Sequence, residues 1–500
     1  MILSRQAFAS HPKTKIICTI GPKTSSPEMI ENLILAGMDV ARLNFSHGFH
    51  EDHIKVINLI REISTRIGKP IALLQDLQGP KIRTAKLKNG PLTLVPKQIF
   101  TITTEQIDNT ESLVSTTYTQ LAKDLSKGDT LLIDDGLLQL KVLETDGVKL
   151  TCEVIHGGLL KDNKGINIPD VKLTTPALTA KDREDLKIGL EYDVEYIALS
   201  FVREAKDVLE LKELIRAAGR NIPVIAKIEK PQAMDNINEI MDVSDGIMVA
   251  RGDLGVEMTP EKVPVVQKRL IKMANEKGIL VITATQMLES MIKNPCPTRA
   301  EASDVANAIF DNTDAVMLSG ETASGDFPIE VVKIMSRIID ESEKALSYPR
   351  ANNSDLYVEC ALPKEPMGFF PKTISELACI AAREVSAKAI VVFTSSGATA
   401  KRISKYRSNC RIIALSPYAR IQKEMGLYWG VQSAIINDEL NDTRTIEQMV
   451  EKVDEILLGS GLFKKGDIVV VTAGSPLPVS GTTNLMKLHR VGVSEVDEVS

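Results

Sequence analysis

The chain has 500 residues, of which 43% are apolar and 25% are charged, and its formal net charge is −6. This length is sufficient for about three domains of ordinary size, and the lack of a basic excess argues against a nucleic-acid partner. No apolar leader opens the sequence and no run of about 18 apolar residues follows, so neither export nor membrane insertion is predicted.

The first part of the chain alternates short β-branched runs with amphipathic patterns. An N-terminal tail (residues 1–12) precedes a segment that spans residues 13–80. The predicted strands of this segment lie at residues 15–20, 40–46 and 71–76. Ser26 is the predicted N-cap of the first helix, and Gly37 and Gly68 are predicted helix ends. The alternation of strand and helix indicates a parallel sheet.

The segment 81–178 lacks helical periodicity. Its short apolar runs are separated by turn signals such as Asn89-Gly90 and Asp146-Gly147. We therefore expect a small β-barrel domain inserted after the third strand. Because it leaves from the end of the strands at which α/β folds carry their function, it is placed to act as a lid.

The alternation of strand and helix resumes over residues 179–347. Strands are predicted at residues 196–202, 224–229, 246–250, 280–285 and 315–319, and helices at 263–277 and 329–346. With the first three strands the total is about eight, the number that closes a (β/α)₈ TIM barrel. An open doubly wound sheet is the alternative. In both folds the functional residues gather at the C-terminal ends of the strands.

Residues 348–500 begin with a linker at 348–353, and strand and helix patterns then alternate again. The predicted strands of this segment lie at residues 389–393, 411–415, 432–436 and 467–472, which indicates a smaller C-terminal α/β domain. The six cysteines of the chain are scattered without a C-x-x-C pair. This distribution favours reduced thiols and a cytoplasmic location.

Polar side chains cluster at the ends of the predicted strands. Because side chains alternate along a strand, Lys227 and Glu229 share one face. Glu229 and the later Asp253 would suit a hard cation such as Mg²⁺, although each alone is also typical of an ordinary surface carboxylate. Lys227 lies in an otherwise apolar strand, where an ammonium requires a partner or a task.

The tripeptide Arg251-Gly252-Asp253 has two interpretations. It is an adhesion sequence in some extracellular proteins, but here it follows a predicted buried strand. The amides of Gly252 and Asp253 precede a predicted helix and are placed to bind an anion. Since no export is predicted, an active-site loop is the favoured interpretation.

Taken together, many ordered stretches resemble the pyruvate kinase family over essentially the whole chain. They include "TKIICTIGPKT", "AGMDVARLNFSHG", "DLQGPKIRT", "AKIEKPQA", "VARGDLGVE", "TATQMLESM" and "DAVMLSGETASGDFP". The resemblance implies a TIM barrel with an inserted β lid and a C-terminal α/β domain. It also implies phosphoryl transfer from phosphoenolpyruvate to ADP, with Mg²⁺ or Mn²⁺, in a cytoplasmic homotetramer.

The resemblance also implies roles for individual residues. The residues implied to stabilise the charge of the transferred phosphoryl group are Arg42, Arg83 and Lys227, while Glu229 and Asp253 bind the metal. Thr285 is implied to relay a proton; the alternative is a strand-end or helix-start hydroxyl bonded to the backbone. The substrate contacts implied by the family add Ala250 and Gly252, and the nucleotide contacts are Pro22, His47, Arg83 and Lys181.

One position departs from the family pattern. Many members bind K⁺ at positions that match Asn44, Ser46, Asp76 and the carbonyl of Leu77, and they carry Glu where this chain has Lys81. A lysine brings its own positive charge, so we expect that K⁺ is not required. The alternative is that Lys81 points to solvent and the ion still binds.

The C-terminal domain contains a possible effector site. "FTSSGATA" puts Ser395, Ser396, Gly397 and Thr399 before a predicted helix, where the family binds an effector phosphate. A simple helix cap is the alternative. The later loop over residues 472–484 lacks the Trp and Arg pattern of members that respond to fructose 1,6-bisphosphate, which favours a sugar monophosphate or a nucleotide.

Two other classes of function remain open from the residues alone. A metal-dependent barrel aldolase or another phosphotransferase would share the strand-end residues but lack this combination of lid and C-terminal domain. A catalytically silent binding protein predicts loss of the charged set, all of which is present.

Overall fold

The computed structural model describes residues 12–88, 90–169, 171, 175–346, 366–436, 446–474 and 483–493. Its first elements are β1 (Lys15–Ile20), α1 (Pro27–Ala36), β2 (Val40–Asn44), α2 (His50–Ile67) and β3 (Ala72–Asp76). Ser26 caps α1 as predicted, because its hydroxyl accepts a hydrogen bond from the Met29 amide. Gly68 ends α2 with a φ of 76°, a conformation that glycine adopts without steric cost.

The inserted segment is built almost entirely from strands. Its elements are β4 (Leu92–Leu94), β5 (Ile99–Thr103), β6 (Leu113–Ser115), α3 (Leu121–Asp124), β7 (Thr130–Ile133), β8 (Leu138–Thr145), β9 (Lys149–His156), β10 (Gly158–Leu160) and β11 (Ile166–Asn167). Six of these strands form one sheet, in the order β11-β7-β8-β9-β5-β6. Bridges from Arg83 to Gly165 and from Thr84 to Thr116 join the two edges of this sheet. The segment therefore closes like a small barrel, with one short helix that the sequence pattern did not predict.

The chain then returns to alternating helices and strands. These elements are α4 (Ala180–Glu191), β12 (Tyr196–Leu199), α5 (Ala205–Ala217), β13 (Val224–Ile228), α6 (Pro231–Asp235), α7 (Ile237–Val243), β14 (Gly246–Ala250), α8 (Arg251–Glu257), α9 (Val263–Glu276), β15 (Leu280–Ala284), α10 (Arg299–Phe310), β16 (Ala315–Leu318), α11 (Gly320–Ala323) and α12 (Pro328–Leu346). Eight parallel strands close in the order β1-β16-β15-β14-β13-β12-β3-β2. The predicted TIM barrel is confirmed and the open-sheet alternative is wrong.

The C-terminal part contains α13 (Pro366–Glu384), β17 (Ala389–Phe393), α14 (Ala398–Lys405), β18 (Arg411–Ser416), α15 (Ala419–Glu424), β19 (Val431–Ile435), α16 (Ile446–Gly459), β20 (Ile468–Gly474) and β21 (Thr483–Arg490). These five strands pair in the order β19-β18-β17-β20-β21. The antiparallel edge strand β21 was missed from the sequence, because it has neither a strong apolar run nor a following helix. The predicted linker at 348–353, and residues 475–482 of the later loop, lie outside the described residues.

The barrel interior is apolar at its base and polar at its mouth. Ile17, Leu74, Ile225 and Met248 pack together inside it, and this cluster continues into the C-terminal domain. A larger cluster fills the space between the strands and the surrounding helices. Among the described residues, no helix combines the length and the apolar character needed to cross a membrane.

Several predicted boundaries at the mouth were wrong; the strand predicted over residues 196–202, for example, ends at Leu199. The second strand ends at Asn44, and Ser46 lies in a turn in which its amide donates to the Asn44 side chain at 3.2 Å. An asparagine side chain often competes with a strand ladder in this way. Gly252 and Asp253 do not precede a helix but form the first turn of α8, which begins at Arg251.

Candidate active site

The side chain of Lys227 is at the centre of an ion-pair network at the barrel mouth. Lys227 lies two residues after the inward-facing Ile225, so its side chain shares that face of β13. Its Nζ atom donates to Asp76 Oδ1 at 3.1 Å and to Ser200 Oγ at 2.7 Å, and lies 3.1 Å from Glu229 Oε1. Burial opposes its charge, but Asp76 and Glu229 outweigh burial and raise the pKa of Lys227. The ammonium is therefore a fixed positive charge.

Arg42 holds the other oxygen of the same carboxylate. Its Nε and Nη2 atoms lie 2.7 and 2.6 Å from Asp76 Oδ2, and Nη1 donates to Thr19 Oγ1 at 2.9 Å. Burial opposes the charge on Asp76, yet Lys227 and Arg42 together hold its pKa below the ordinary value. Two cations are thus held side by side by one buried carboxylate.

The two predicted metal ligands, Glu229 and Asp253, lie close enough for their charges to interact. Glu229 is 1% exposed, and Oε2 accepts a hydrogen bond from the Phe201 amide at 2.7 Å. Burial and the charge of Asp253 raise the pKa of Glu229, although Lys227 opposes this. A divalent cation between the carboxylates would relieve that repulsion, so the donor set fits Mg²⁺ or Mn²⁺ completed by water and substrate oxygens. The described residues contain no group of three or more His, Cys, Asp or Glu side chains placed to bind a metal.

Arg251 of the tripeptide is directed into the protein. Its guanidinium is 2.7 Å from Asp304 Oδ1 and donates to the carbonyls of Thr285 and Gln286 at 2.8 and 3.2 Å. Only 9% of the residue is exposed. A receptor has no access to this charge, so the adhesion interpretation is wrong.

Thr285 has a backbone conformation that its residue type disfavours. Its φ is +66°, and that of the following Gln286 is +52°; a β-branched residue is an outlier in this region. The Thr285 hydroxyl donates to the Ala284 carbonyl and accepts from the Gly252 amide, each at 2.6 Å. Because Arg251 binds the carbonyls of both residues, the strained turn is held against α8, and such strain is typical of functional sites.

Four positive side chains lie close enough to His47 to disfavour its protonated form. Burial first, and then the charges of Arg83, Lys81, Arg42 and Lys181, lower the pKa of His47. These side chains come from the barrel, from the start of the inserted segment and from α4. Their convergence makes one wall of the mouth suitable for phosphate groups.

The other predicted nucleotide residues are Lys181, Arg83 and Pro22. The Lys181 ammonium donates to the Phe45 carbonyl and to Asp185 Oδ2, each at 2.6 Å. Arg83 Nη1 donates to the Asn163 carbonyl of the inserted segment at 3.3 Å. Pro22 is exposed in the turn after β1.

In two residues of the expected K⁺ site, the oxygen atoms already have partners within the protein. The Leu77 carbonyl accepts a hydrogen bond from Ser200 at 2.7 Å, and Asp76 binds both Lys227 and Arg42. The Lys81 ammonium lies 4.0 Å from Asp253 Oδ1, and its side chain is 33% exposed. Lys81 therefore lies beside Asp253 of the candidate metal site, with a third of its side chain exposed.

The predicted effector loop leads into α14. Gly397 has a φ of 75°, and its amide donates to the Thr394 hydroxyl at 2.9 Å. The start of α14 has no side-chain cap. The Thr399 hydroxyl is buried and hydrogen-bonded to the Thr483 hydroxyl, whereas Ser395 and Ser396 are half-buried.

Sequence reasoning missed two residues that shape the site. Ser200 joins Lys227 to the Leu77 carbonyl, and Arg251 fixes the Thr285 turn. Ser200 follows a predicted strand in "ALSFVR", so its position at a strand end was an available signal. No sequence signal indicated that Arg251 points inward, because its direction depends on partners from α10 and β15.

Comparison with known proteins agrees with this architecture. The family model for the pyruvate kinase barrel domain matches residues 11–332, and the model for the pyruvate kinase alpha/beta domain matches residues 372–489. The chain is 46% identical over 484 residues to a pyruvate kinase of Sporosarcina psychrophila. It is 45% identical over 483 residues to one of Staphylococcus aureus strain MRSA252. Each alignment covers 96% of this chain and 80% of the relative.

A crystal structure of a pyruvate kinase from Cryptosporidium parvum is also similar. It superposes with a TM-score of 0.88 at 38% identity and covers 98% of both chains. Both family models, the two bacterial relatives and the shared fold lead to one conclusion. The chain is a phosphotransferase that belongs to the pyruvate kinase family.

Proposed function

We propose that this enzyme transfers the phosphoryl group of phosphoenolpyruvate to ADP, which gives pyruvate and ATP in the last step of glycolysis. The observation that carries the proposal is the Lys227 ammonium, which is fixed by Asp76, Ser200 and Glu229 at the barrel mouth. A preorganised cation in a buried site stabilises the charge that develops as the phosphorus–oxygen bond of phosphoenolpyruvate breaks.

Other residues of the mouth complete the chemistry. Arg42 and Arg83 neutralise the moving phosphoryl group, and Lys227 stabilises the enolate left behind. The Thr285 hydroxyl relays a proton through water to the enolate carbon, which gives pyruvate. Glu229 and Asp253 would hold Mg²⁺ or Mn²⁺, which supplies further positive charge to the phosphoryl oxygens when it is bound.

We propose substrate and nucleotide contacts on opposite sides of this centre. The substrate carboxylate binds at the first turn of α8, where Ala250, Gly252 and Asp253 begin the helix. The nucleotide phosphates bind among the cations around His47. The nucleotide residues are Pro22, His47, Arg83 and Lys181, with residues 81–178 as the lid.

We further propose that the enzyme is active without K⁺, and the position of Lys81 supports this proposal. The Lys81 ammonium is 4.0 Å from Asp253 Oδ1 and close enough to His47 to lower the pKa of that residue. It therefore brings a single positive charge to the phosphoryl site, which is what a monovalent cation supplies. The oxygens of Asp76 and Leu77 have protein donors instead.

We also propose activation by a phosphorylated metabolite at residues 395–399. The uncapped first turn of α14 leaves amides for a phosphate. Thr472, which pairs with Val392 of the neighbouring strand, has a buried hydroxyl with no hydrogen-bond partner among the described residues. A bound anion at Ser395 and Ser396 would use these free groups.

A homotetramer in the cytoplasm completes the proposal. In the C-terminal part, Phe369 and Phe370 are 53% and 65% exposed, and Leu488 on the edge strand β21 is 47% exposed. Exposed apolar groups beside the edge strand of a sheet favour self-association. The five described cysteines are free thiols, as expected in a reducing compartment.

The direct test is pyruvate formation from phosphoenolpyruvate, ADP and Mg²⁺, followed through a coupled reaction that consumes pyruvate. We expect turnover that requires all three components and that falls steeply in Glu229→Gln. No pyruvate from the folded wild-type enzyme would overturn the proposal.

A further inference from the structure

The Glu257 carboxylate joins three separate segments at the rim of the mouth. Glu257 is the last residue of α8 and is 3% exposed. Its Oε1 atom lies 2.5 Å from Lys230 Nζ and accepts a hydrogen bond from Asn167 Nδ2 at 2.9 Å. Lys230 follows β13, and Asn167 ends β11 in the inserted segment. One oxygen therefore connects two loops of the barrel to the lid.

The segments joined by this carboxylate carry the two candidate metal ligands. Lys230 immediately follows Glu229 in the sequence, and Glu257 lies one helical turn after Asp253 on α8. Lys230 is 8% exposed, so the pair is largely removed from water. A buried ion pair with little solvent screening holds its two segments at a defined separation. The pair therefore links the two segments that carry Glu229 and Asp253.

The second oxygen of Glu257 differs from the first in its surroundings. Oε2 is buried and has no hydrogen-bond partner among the described residues. Leaving a buried carboxylate oxygen unsatisfied costs free energy.

The lid is fastened to the same rim at two further points. Arg203 Nη2 donates to the Thr175 carbonyl at 2.6 Å, and Gln232 Nε2 donates to the Val171 carbonyl at 3.0 Å. Both carbonyls lie in the segment by which the chain leaves the insertion. The third lid contact, from Asn167, is made to Glu257, which lies on the same helix as the candidate metal ligand Asp253.

We infer that Glu257 is a positioning residue that sets the spacing of Glu229 and Asp253 and couples metal binding there to engagement of the lid through Asn167. This inference rests on the proposed metal-binding role of the two carboxylates. A cation that binds both Glu229 and Asp253 brings their segments together, and this favours the ion pair between Lys230 and Glu257. In that geometry the Glu257 carboxylate accepts the hydrogen bond from Asn167.

The test measures Mn²⁺ affinity by electron paramagnetic resonance in the absence of substrates. Residues that orient metal ligands typically change metal affinity by 10- to 100-fold, so Glu257→Gln and Lys230→Met should each weaken Mn²⁺ binding by about tenfold. The double variant should be little weaker than either single variant, because both changes break one pair. Glu261→Gln removes the same charge from an exposed site nearby and serves as the matched control.

Hydrogen exchange gives the second readout. Bound Mn²⁺ should slow exchange of peptides that contain β11 in the wild type and in Glu261→Gln, but not in Asn167→Ala or Glu257→Gln. Wild-type Mn²⁺ affinity in folded Glu257→Gln and Lys230→Met would overturn the inference while leaving the proposed function standing. Wild-type affinity in Glu229→Gln would instead overturn the metal site and the inference together.

Discussion

Lys405 and Asp314 form an ion pair that is buried between the C-terminal domain and the barrel. The Lys405 ammonium is 2.5 Å from Asp314 Oδ2, and the side chains are 1% and 0% exposed. Arg407 binds the other oxygen at 2.8 Å. These two cations hold the pKa of Asp314 below its ordinary value even though burial opposes this. Lys405 ends α14, the helix that begins at the candidate effector loop, and Asp314 immediately precedes β16.

Replacing this carboxylate should loosen the boundary between the domains. Asp314→Asn leaves two buried cations without a counter-charge, and breaking a buried pair in this way typically costs about 3–5 kcal/mol. The chain has one tryptophan, Trp429, and the Arg407 guanidinium lies 4.8 Å from its ring. We expect the urea midpoint reported by Trp429 fluorescence to fall. Asp340→Asn, which removes an exposed partner of Lys344, should leave the midpoint unchanged; equal midpoints for the two variants would contradict the prediction.

Lys227→Met should remove most turnover. A preorganised charge at the transition state is typically worth about 10²–10³ in rate, so we expect at least this loss in kcat. The variant should also unfold at a lower temperature, because Glu229 loses its partner while Asp76 retains Arg42. Lys212→Met breaks an ion pair with Asp245 far from the mouth and controls for general destabilisation. A folded Lys227→Met enzyme with unchanged kcat would disprove the role.

Substitutions at Thr285 should separate an effect on the free energy of unfolding from an effect on turnover. In Thr285→Gly, relief of the positive-φ strain, about 1–2 kcal/mol, offsets the loss of two hydrogen bonds worth about 1 kcal/mol each. We therefore expect a free energy of unfolding near that of the wild type, with turnover reduced by about 10²–10⁴. Thr285→Ser keeps the hydroxyl and should retain most activity. The proton-relay role fails if the Gly and Ser variants turn over equally well.

The requirement for K⁺ can be tested at Lys81. We expect wild-type turnover in buffer free of Na⁺ and K⁺, with a tetraalkylammonium salt holding the ionic strength. Lys81→Glu should acquire a K⁺ requirement, because it removes the positive charge near Asp253 and adds an oxygen ligand. Lys86→Glu makes the same charge change at an exposed position of the same segment and should remain independent. A wild type that is nearly inactive until K⁺ is added would rule the prediction out.

The effector loop is best tested at Ser396. A glutamate at Thr399 would be buried against Thr483, whereas Ser396 is half-buried and can take a charge without loss of the fold. Ser396→Glu should abolish activation by sugar phosphates through repulsion of the phosphate, and basal activity should be unchanged. Ser396→Ala adds no charge and should still respond. If no phosphorylated metabolite alters the wild-type substrate curve, there is no such site.

Local pattern was sufficient to predict the barrel and much of its mouth. Short β-branched runs separated by amphipathic helices require a parallel sheet with both faces covered, and eight of them close it. The period of two along a strand then put Lys227 and Glu229 on one face, where they are found 3.1 Å apart. The boundary errors at Ser46 and Gly252 arose where a side chain or a strand end competed with the regular pattern.

The sequence by itself therefore determined the order of strands and helices and the polar residues at the strand ends, because both follow from interactions between near neighbours in the chain. Only the tertiary structure decided which of those residues meet. Arg251 turns inward because Asp304 and the Thr285 carbonyl lie behind it, and Glu257 gains Asn167 from a segment 90 residues away. Such contacts depend on the closure of the barrel and the placement of the insertion, which no local periodicity contains.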